Sequence, residues 1–186
     1  MTDGVCDPIA VILSRRQFLK LSGAVTVLLT LPACLQQPSV PAALVAQRAD
    51  YRRQLIGQLS ALKTGEPVAF NYPWDHPAAA NFLIKLSEPA GGGVGPEHSV
   101  VAFNSFCTHQ GGPLVGRVQG DLGVAGPCPL HWTTFDLTRH GMVISGHATL
   151  GLPQIVLETD GDDIYAVGVQ GLIFGYYDNK IDPHAS

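Results

Sequence analysis

The sequence predicts an all-β domain, built as an antiparallel β-sandwich or barrel. Short runs rich in valine, isoleucine, phenylalanine and tyrosine recur between turn residues, which is typical of strands. The 186 residues include 21 glycines and 14 prolines without a G-X-Y period, which excludes a collagen-like chain and a bundle of long helices. A hydrophobic fraction of 46% against a charged fraction of 14% excludes a disordered chain. A net charge of −4 with no basic block excludes a nucleic-acid-binding domain.

Six segments are predicted strands: residues 68–72, 82–86, 100–103, 142–144, 155–157 and 164–169. The last two flank Thr159-Asp160-Gly161-Asp162-Asp163, whose Asp-Gly pair predicts a hairpin turn. The acidic residues of this turn do not follow the spacing of a calcium loop. Residues 51–62 are the one segment of the body that could be helical, although its apolar residues follow no single period.

Residues 1–46 have the character of an export leader, and residues 47–186 that of one domain. The leader is net positive through Arg15, Arg16 and Lys20, whereas the rest of the chain is acidic. Residues 14–20 match the S-R-R-x-F-L-K pattern of twin-arginine signals, and an apolar run follows at 21–33. The leader therefore predicts export to the periplasm in the folded state. Proteins exported by this route often carry a metal cofactor that was inserted before export.

The apolar run of the leader is too short for a typical membrane span. It is interrupted by Ser22, Gly23 and Thr26, and a spanning helix needs about 20 apolar residues. Cleavage after residues 40–42 fits a small-residue pattern, and residues 31–34 faintly resemble a lipoprotein site at Cys34. An uncleaved anchor or a lipid at Cys34 would associate the protein with the membrane, and both stay open.

Two short motifs carry the metal chemistry of the chain. Cys107-Thr108-His109 and Cys128-Pro129-Leu130-His131 are separated by eighteen residues, and glycines and prolines beside both motifs predict tight loops. A Cys₂His₂ set suits structural zinc or a Rieske [2Fe–2S] centre. Zinc sites typically pair Cys with Cys and His with His along the chain. Here each loop offers one Cys and one His, which favours two irons bound by two Cys and two His respectively.

The chain resembles Rieske proteins and, more narrowly, the small subunits of arsenite oxidase and iodate reductase. The similarity spans about residues 55–176, and its blocks are 65–68, 72–73, 92–96, 107–114, 128–136, 146–149, 152–154 and 169–175. The resemblance implies an all-β Rieske fold with a larger base and a small cluster-binding subdomain, whose loops occupy about 104–153. Cys107 and Cys128 would bind the buried iron, and His109 and His131 the iron near the surface.

The resemblance also implies a large partner subunit that carries molybdenum-bis(pterin) and an iron–sulfur cluster. In such heterodimers the small subunit usually supplies the export signal for both chains, which agrees with the leader.

The chain departs from the wider Rieske pattern near the cluster. Many Rieske proteins have an extra cysteine in each loop, joined by a disulfide, and those positions here are Gly112 and Leu130. Respiratory Rieske proteins place Ser and Tyr hydroxyls where this chain has Thr133 and Phe135. Fewer hydrogen bonds to the sulfur atoms disfavour the more negative reduced cluster. We therefore expect a redox potential below that of quinol-oxidising Rieske proteins.

Other candidate residues have weaker signals. His147, in a segment that resembles the loop covering the cluster, is interpreted as shielding the cluster or contacting a partner, with a plain surface histidine as the alternative. Trp132 is predicted to pack over the cluster pocket and, as a second choice, to belong to an electron path. The other histidines are predicted to be solvated: His76, His98, His140 and His184. Cys6 and Cys34 belong to the leader.

These features predict an electron-transfer subunit with no catalytic residue of its own. It would pass electrons between the molybdenum subunit, which holds the substrate site, and a periplasmic c-type cytochrome or cupredoxin. An arsenite oxidase is the first reading and an iodate reductase the close alternative, since no residue decides the direction of electron flow. More distant alternatives are the Rieske subunit of a cytochrome bc-type complex, a ferredoxin for an oxygenase and a zinc-stabilised binding module.

Overall fold

The computed structural model describes residues 51–179, which form two antiparallel β-sheets. Three short 3₁₀ turns accompany the strands in this part of the chain. The ten strands of the described residues are β1 (Gln54–Gln58), β2 (Val68–Asn71), β3 (Ala80–Lys85), β4 (Val100–Asn104), β5 (Val118–Gln119), β6 (Val124–Ala125), β7 (Thr134–Asp136), β8 (Met142–Ser145), β9 (Gln154–Asp160) and β10 (Asp163–Gln170).

The base of the domain is a six-stranded sheet in the order β1-β10-β9-β4-β3-β2. Its central strand β4 is buried at every position, because its Val-Val-Ala-Phe run is apolar on both faces. One face packs Leu83, Ile155 and Ile164 together. The other face presents Phe82 and Phe103 to the core that contains both described cysteines. The loops that contain the two Cys-His motifs are thus fixed to the most buried part of the base.

The smaller sheet, in the order β5-β6-β7-β8, lies between β4 and β9 along the chain. Three loops belong to this insertion: one between β4 and β5, one between β6 and β7, and one between β8 and β9. The first two contain the Cys-His motifs, and the third contains His147. The topology therefore places the two Cys-His motifs and His147 on three loops of one insertion.

The structure confirms the all-β prediction and each of the six predicted strands. The hairpin is confirmed as well, since β9 and β10 pair from Asp160 and Asp163 around the predicted turn. The helical option for residues 51–62 is wrong. Residues 54–58 form β1, which pairs with β10, because the outer backbone groups of β10 need hydrogen-bond partners.

The leader 1–46 lies outside the described residues, and so do Cys6, Cys34 and His184. Within residues 51–179, no helix has the length and apolar character needed to cross a membrane.

Candidate metal centre

Cys107 and Cys128 lie next to each other in the core to which the base sheet contributes Phe82 and Phe103. Each is about 1% exposed, and both are free thiols. Their side chains interact with each other and pack with Leu114 and Phe135. Burial raises the pKa of the Cys107 thiol, whereas hydrogen bonds from the His109 amide and the Thr133 hydroxyl lower it. The two sulfur atoms therefore lie in one pocket that is closed to solvent. The His109 amide and the Thr133 hydroxyl are its hydrogen-bond donors.

The two cysteine loops have the same backbone turn. In each, the cysteine N–H donates to the carbonyl five residues later, and the N–H four residues later donates back to the cysteine carbonyl. The residue four positions after the cysteine is left-handed in both turns, with φ of +67° at Gly111 and +63° at Trp132. The four bonds are Cys107 N to Gly112 O at 2.9 Å, Gly111 N to Cys107 O at 2.9 Å, Cys128 N to Thr133 O at 2.8 Å, and Trp132 N to Cys128 O at 3.0 Å.

His109 and His131 bring two unsatisfied nitrogen atoms to the same pocket. Their ring centroids are 4.7 Å apart. The Nδ1 atom of each ring is buried and has no hydrogen-bond partner. Since buried polar atoms are almost always paired, two orphaned imidazole nitrogens beside two buried thiols indicate ligands of a bound group. The donor set fits a cluster that takes two thiolates and two imidazoles.

The four side chains form a thiol pair and an imidazole pair. Among residues 51–179, no group of three or more His, Cys, Asp or Glu side chains is placed to hold a single metal ion.

Gly112 is required by the close approach of the two loops. A Cβ atom at this position would lie 2.5 Å from Cys128 Sγ and 3.1 Å from Leu130 Cδ1. Gly112 and Leu130 thus face each other across the two loops. Any larger residue at 112 would move the Cys128 sulfur.

Thr133 joins the thiol pocket to the third loop. Its side chain is fully buried, and its Oγ1 accepts hydrogen bonds from the His147 N–H at 3.1 Å and the Ala148 N–H at 3.3 Å. Its hydroxyl also interacts with Cys107, as described above. Phe135, two residues later, is fully buried and has no hydroxyl to donate. The sequence indicated Thr133 only as a donor to sulfur, and its role in holding the third loop was not predicted.

Thr108 is a second connection that the sequence analysis missed. Its Oγ1 donates to the Leu150 carbonyl at 2.7 Å, which ties the first loop to the third. The position of Thr108 between the two candidate ligands of the first motif was the signal available in the sequence. The third loop is therefore attached to both cysteine loops by threonine hydroxyls.

The third loop places His147 against the imidazole pair. The His147 ring stacks on that of His109, with centroids 5.6 Å apart and planes at 25°, and meets His131 edge-on at 6.1 Å. His147 is exposed. It therefore covers one side of the His109 ring from the solvent side.

Other predicted residues lie elsewhere or behave differently. His140 is exposed, but its Nδ1 contacts Gln154 Oε1 at 2.7 Å, so it is not simply solvated. His76 accepts a hydrogen bond from the Ala78 N–H at the start of a 3₁₀ turn. His98 is exposed and adopts a φ of +50°. The prediction that Trp132 packs over the pocket is wrong, because 72% of this residue is exposed.

The chain matches two protein families. Residues 53–166 match the Rieske [2Fe-2S] domain, and residues 13–32 match the TAT (twin-arginine translocation) pathway signal sequence.

Two curated relatives are similar over most of the chain. One is the iodate reductase subunit IdrB of Denitromonas iodatirespirans, 60% identical over 90% of this chain and 87% of the relative. The other is the iodate reductase subunit IdrB of Pseudomonas sp. (strain SCT), 57% identical over 88% of this chain and 83% of the relative.

Among solved structures, the soluble domain of Rieske protein II (soxF) from Sulfolobus acidocaldarius has a similar fold. The match has a TM-score of 0.59 and 22% identity, and covers 68% of this chain and 82% of that one.

Proposed function

Because the chain belongs to the Rieske [2Fe–2S] family, and within it to the family of the iodate reductase subunits IdrB, we propose that it is the electron-transfer subunit of a periplasmic iodate reductase. It is a Rieske protein with one [2Fe–2S] cluster, and its twin-arginine signal directs it to the periplasm. The domain proposed for this role is residues 47–186, after removal or retention of the leader 1–46.

Cys107, Cys128, His109 and His131 are the proposed ligands of the cluster. The observation that carries this assignment is the pair of buried, unpartnered Nδ1 atoms beside the two buried thiols. When bound, a Rieske cluster accepts and releases one electron at a time. The buried cysteines keep water from the sulfur side, while the histidine rings, which are only partly buried, form the edge nearest the surface.

Thr133 and the third loop set the surroundings of these ligands. The Thr133 hydroxyl stabilises charge on the Cys107 sulfur, and its oxygen holds the backbone of the third loop in place. His147 then shields the His109 ring. Gly112 leaves room for the Cys128 sulfur, and Leu130 closes the same gap from the other side.

The proposed partner is a large catalytic subunit that carries the molybdenum-bis(pterin) cofactor and the substrate site. A periplasmic c-type cytochrome or cupredoxin is the proposed second partner, which would deliver electrons for iodate reduction. The sequence analysis placed arsenite oxidase first, and the two IdrB relatives now favour the iodate reductase alternative. The complex is therefore assayed with arsenite as well as with iodate.

The test is purification of the complex from the periplasm with a tag on this chain. We expect a large molybdenum-containing subunit to co-purify, a Rieske electron paramagnetic resonance signal after reduction, and electron-donor-dependent reduction of iodate. Cys107→Ser should remove the signal and the activity, whereas His140→Ala, outside the ligand set, should keep both. A chain that purifies alone without molybdenum, or a complex that turns over arsenite and not iodate, would contradict the proposal.

A further inference from the structure

Trp132 combines a strained backbone conformation with an exposed aromatic side chain. Its φ of +63° is left-handed, which costs a residue with a Cβ free energy that glycine avoids. Its side chain is also 72% exposed, next to the proposed ligand His131. Residues held in such strained conformations cluster at functional sites.

The fold itself does not need a tryptophan at this position. The matching turn of the first cysteine loop has Gly111 at the equivalent left-handed position, with a φ of +67°. The turn therefore needs a residue that tolerates left-handed backbone, and glycine satisfies that need. The folding of this chain therefore does not explain the large side chain of Trp132 in the second loop, and we look for its role in binding.

Other exposed apolar side chains lie on the loop that contains Trp132 and on the third loop. Leu130, on the same loop as Trp132, is 51% exposed, and Leu150, on the same loop as His147, is 66% exposed. We call the exposed residues Leu130, Trp132, His147 and Leu150 the histidine face. Among the three loops, the one Asp, Glu, Lys or Arg residue is Arg117, at the end of the first loop beside β5. The centres of protein–protein interfaces are depleted in charge and enriched in aromatic residues.

We propose that Trp132 is the aromatic anchor through which the histidine face docks on the catalytic subunit, in an uncharged, apolar recess of that subunit. The inference rests on the proposed function. The proposed ligands His109 and His131 lie on the two cysteine loops and are only partly buried, so the occupant of this face must exchange electrons. Transient carriers are commonly steered by opposite charges, and this face offers none. An apolar contact of this kind suits a lasting subunit interface, and a carrier would dock on another surface of the complex.

The test compares the affinity of variants for the catalytic subunit purified from the complex. Trp132→Gly gives the second loop the residue that the first loop already has, so its Tm should equal or exceed that of the wild type, with the full Rieske signal. Its affinity for the catalytic subunit should fall by about tenfold or more, as for other aromatic hot spots. Trp132→Phe should retain affinity within about threefold, because it keeps an aromatic ring.

Leu55→Ala is the control, since it removes another exposed apolar side chain (54%) from β1, in the base sheet. It should bind as the wild type does. The wild-type dissociation constant should change by less than about threefold between about 50 and 500 mM NaCl, because an uncharged interface is not screened. If Trp132→Gly loses the cluster, Trp132→Asn, which also tolerates left-handed backbone, takes its place.

The outcomes separate this inference from the proposed function. If wild type and Trp132→Gly bind the catalytic subunit equally well, the anchor is wrong and the proposed function stands. If Trp132→Gly loses affinity only for the carrier, or only for a second copy of this chain, the assigned occupant is wrong. If the wild-type chain forms no complex with a catalytic subunit, the proposed function itself fails.

Discussion

The imidazole ring of His147 stacks on that of His109, with centroids 5.6 Å apart and planes inclined by 25°. The two residues come from different loops, and the His147 backbone is held by the buried Thr133 hydroxyl at 3.1 Å. The third loop thus supports a proposed ligand by ring packing. The stack leads to the first of four predictions.

Replacing His147 by alanine should let the His109 ring reorient. In the reduced protein, this should change the nitrogen hyperfine couplings of one of the two histidine ligands, measured by electron–nuclear double resonance. His147→Phe keeps a planar ring against His109 and should leave the couplings close to those of the wild type. Met142→Ala, an exposed change on β8, is the control. Unchanged couplings in His147→Ala would show that the stack does not orient the ligand.

Replacing Thr133 by valine should lower both stability and redox potential. The change leaves the His147 and Ala148 amides without an acceptor, which should cost about 1–3 kcal/mol of unfolding free energy. It also removes a hydrogen bond to Cys107 that favours the reduced cluster. Thr133→Ser should restore both quantities, and Thr134→Val serves as the neighbouring control. Denaturant unfolding and a redox titration are the measurements, and a potential equal to or above that of the wild type would contradict the assignment.

Phe135→Tyr should raise the redox potential. Phe135 is fully buried and packs in the same core as both cysteines, so an added hydroxyl would lie near the sulfur atoms. Since a new hydrogen bond to sulfur stabilises the reduced cluster, the midpoint should rise. The wild-type midpoint should lie below the upper part of the Rieske range of about −150 to +300 mV. A wild-type value near +300 mV, or a Tyr variant with an intact cluster and a lower potential, would argue against this account.

Gly112→Ala should impair cluster insertion. The added methyl group would lie 2.5 Å from Cys128 Sγ, so the sulfur must move or the loop must open, at a cost of about 1–3 kcal/mol. We expect less iron per protein and a weaker Rieske signal. Gly168→Ala is the matched control, because its methyl would meet Val156 at an ordinary 3.5 Å. Full iron content in Gly112→Ala would mean that the two loops are less tightly packed than the structure indicates.

The strands that the sequence predicted are those with a strong local pattern. β3, β4, β9 and β10 contain long apolar or β-branched runs, and the Asp-Gly pair identified the turn between the last two. β5 and β6 have only two residues each and are too short for any period to be visible. β1 was ambiguous because it lies at the edge of a sheet, and only its pairing with β10 makes it a strand.

The sequence by itself determined the types of the proposed ligands, their grouping into two loops and the leader, because these depend on residue identity and on short spacings. The tertiary structure alone decided how the loops meet. The unpartnered Nδ1 atoms of His109 and His131, the stacking of His147 and the double role of Thr133 arise because the smaller sheet brings three distant loops to one place. The exposure of Trp132 was decided there too. The turn that both cysteine loops share fixes the backbone of Trp132 in the left-handed region, and its side chain lies at the surface.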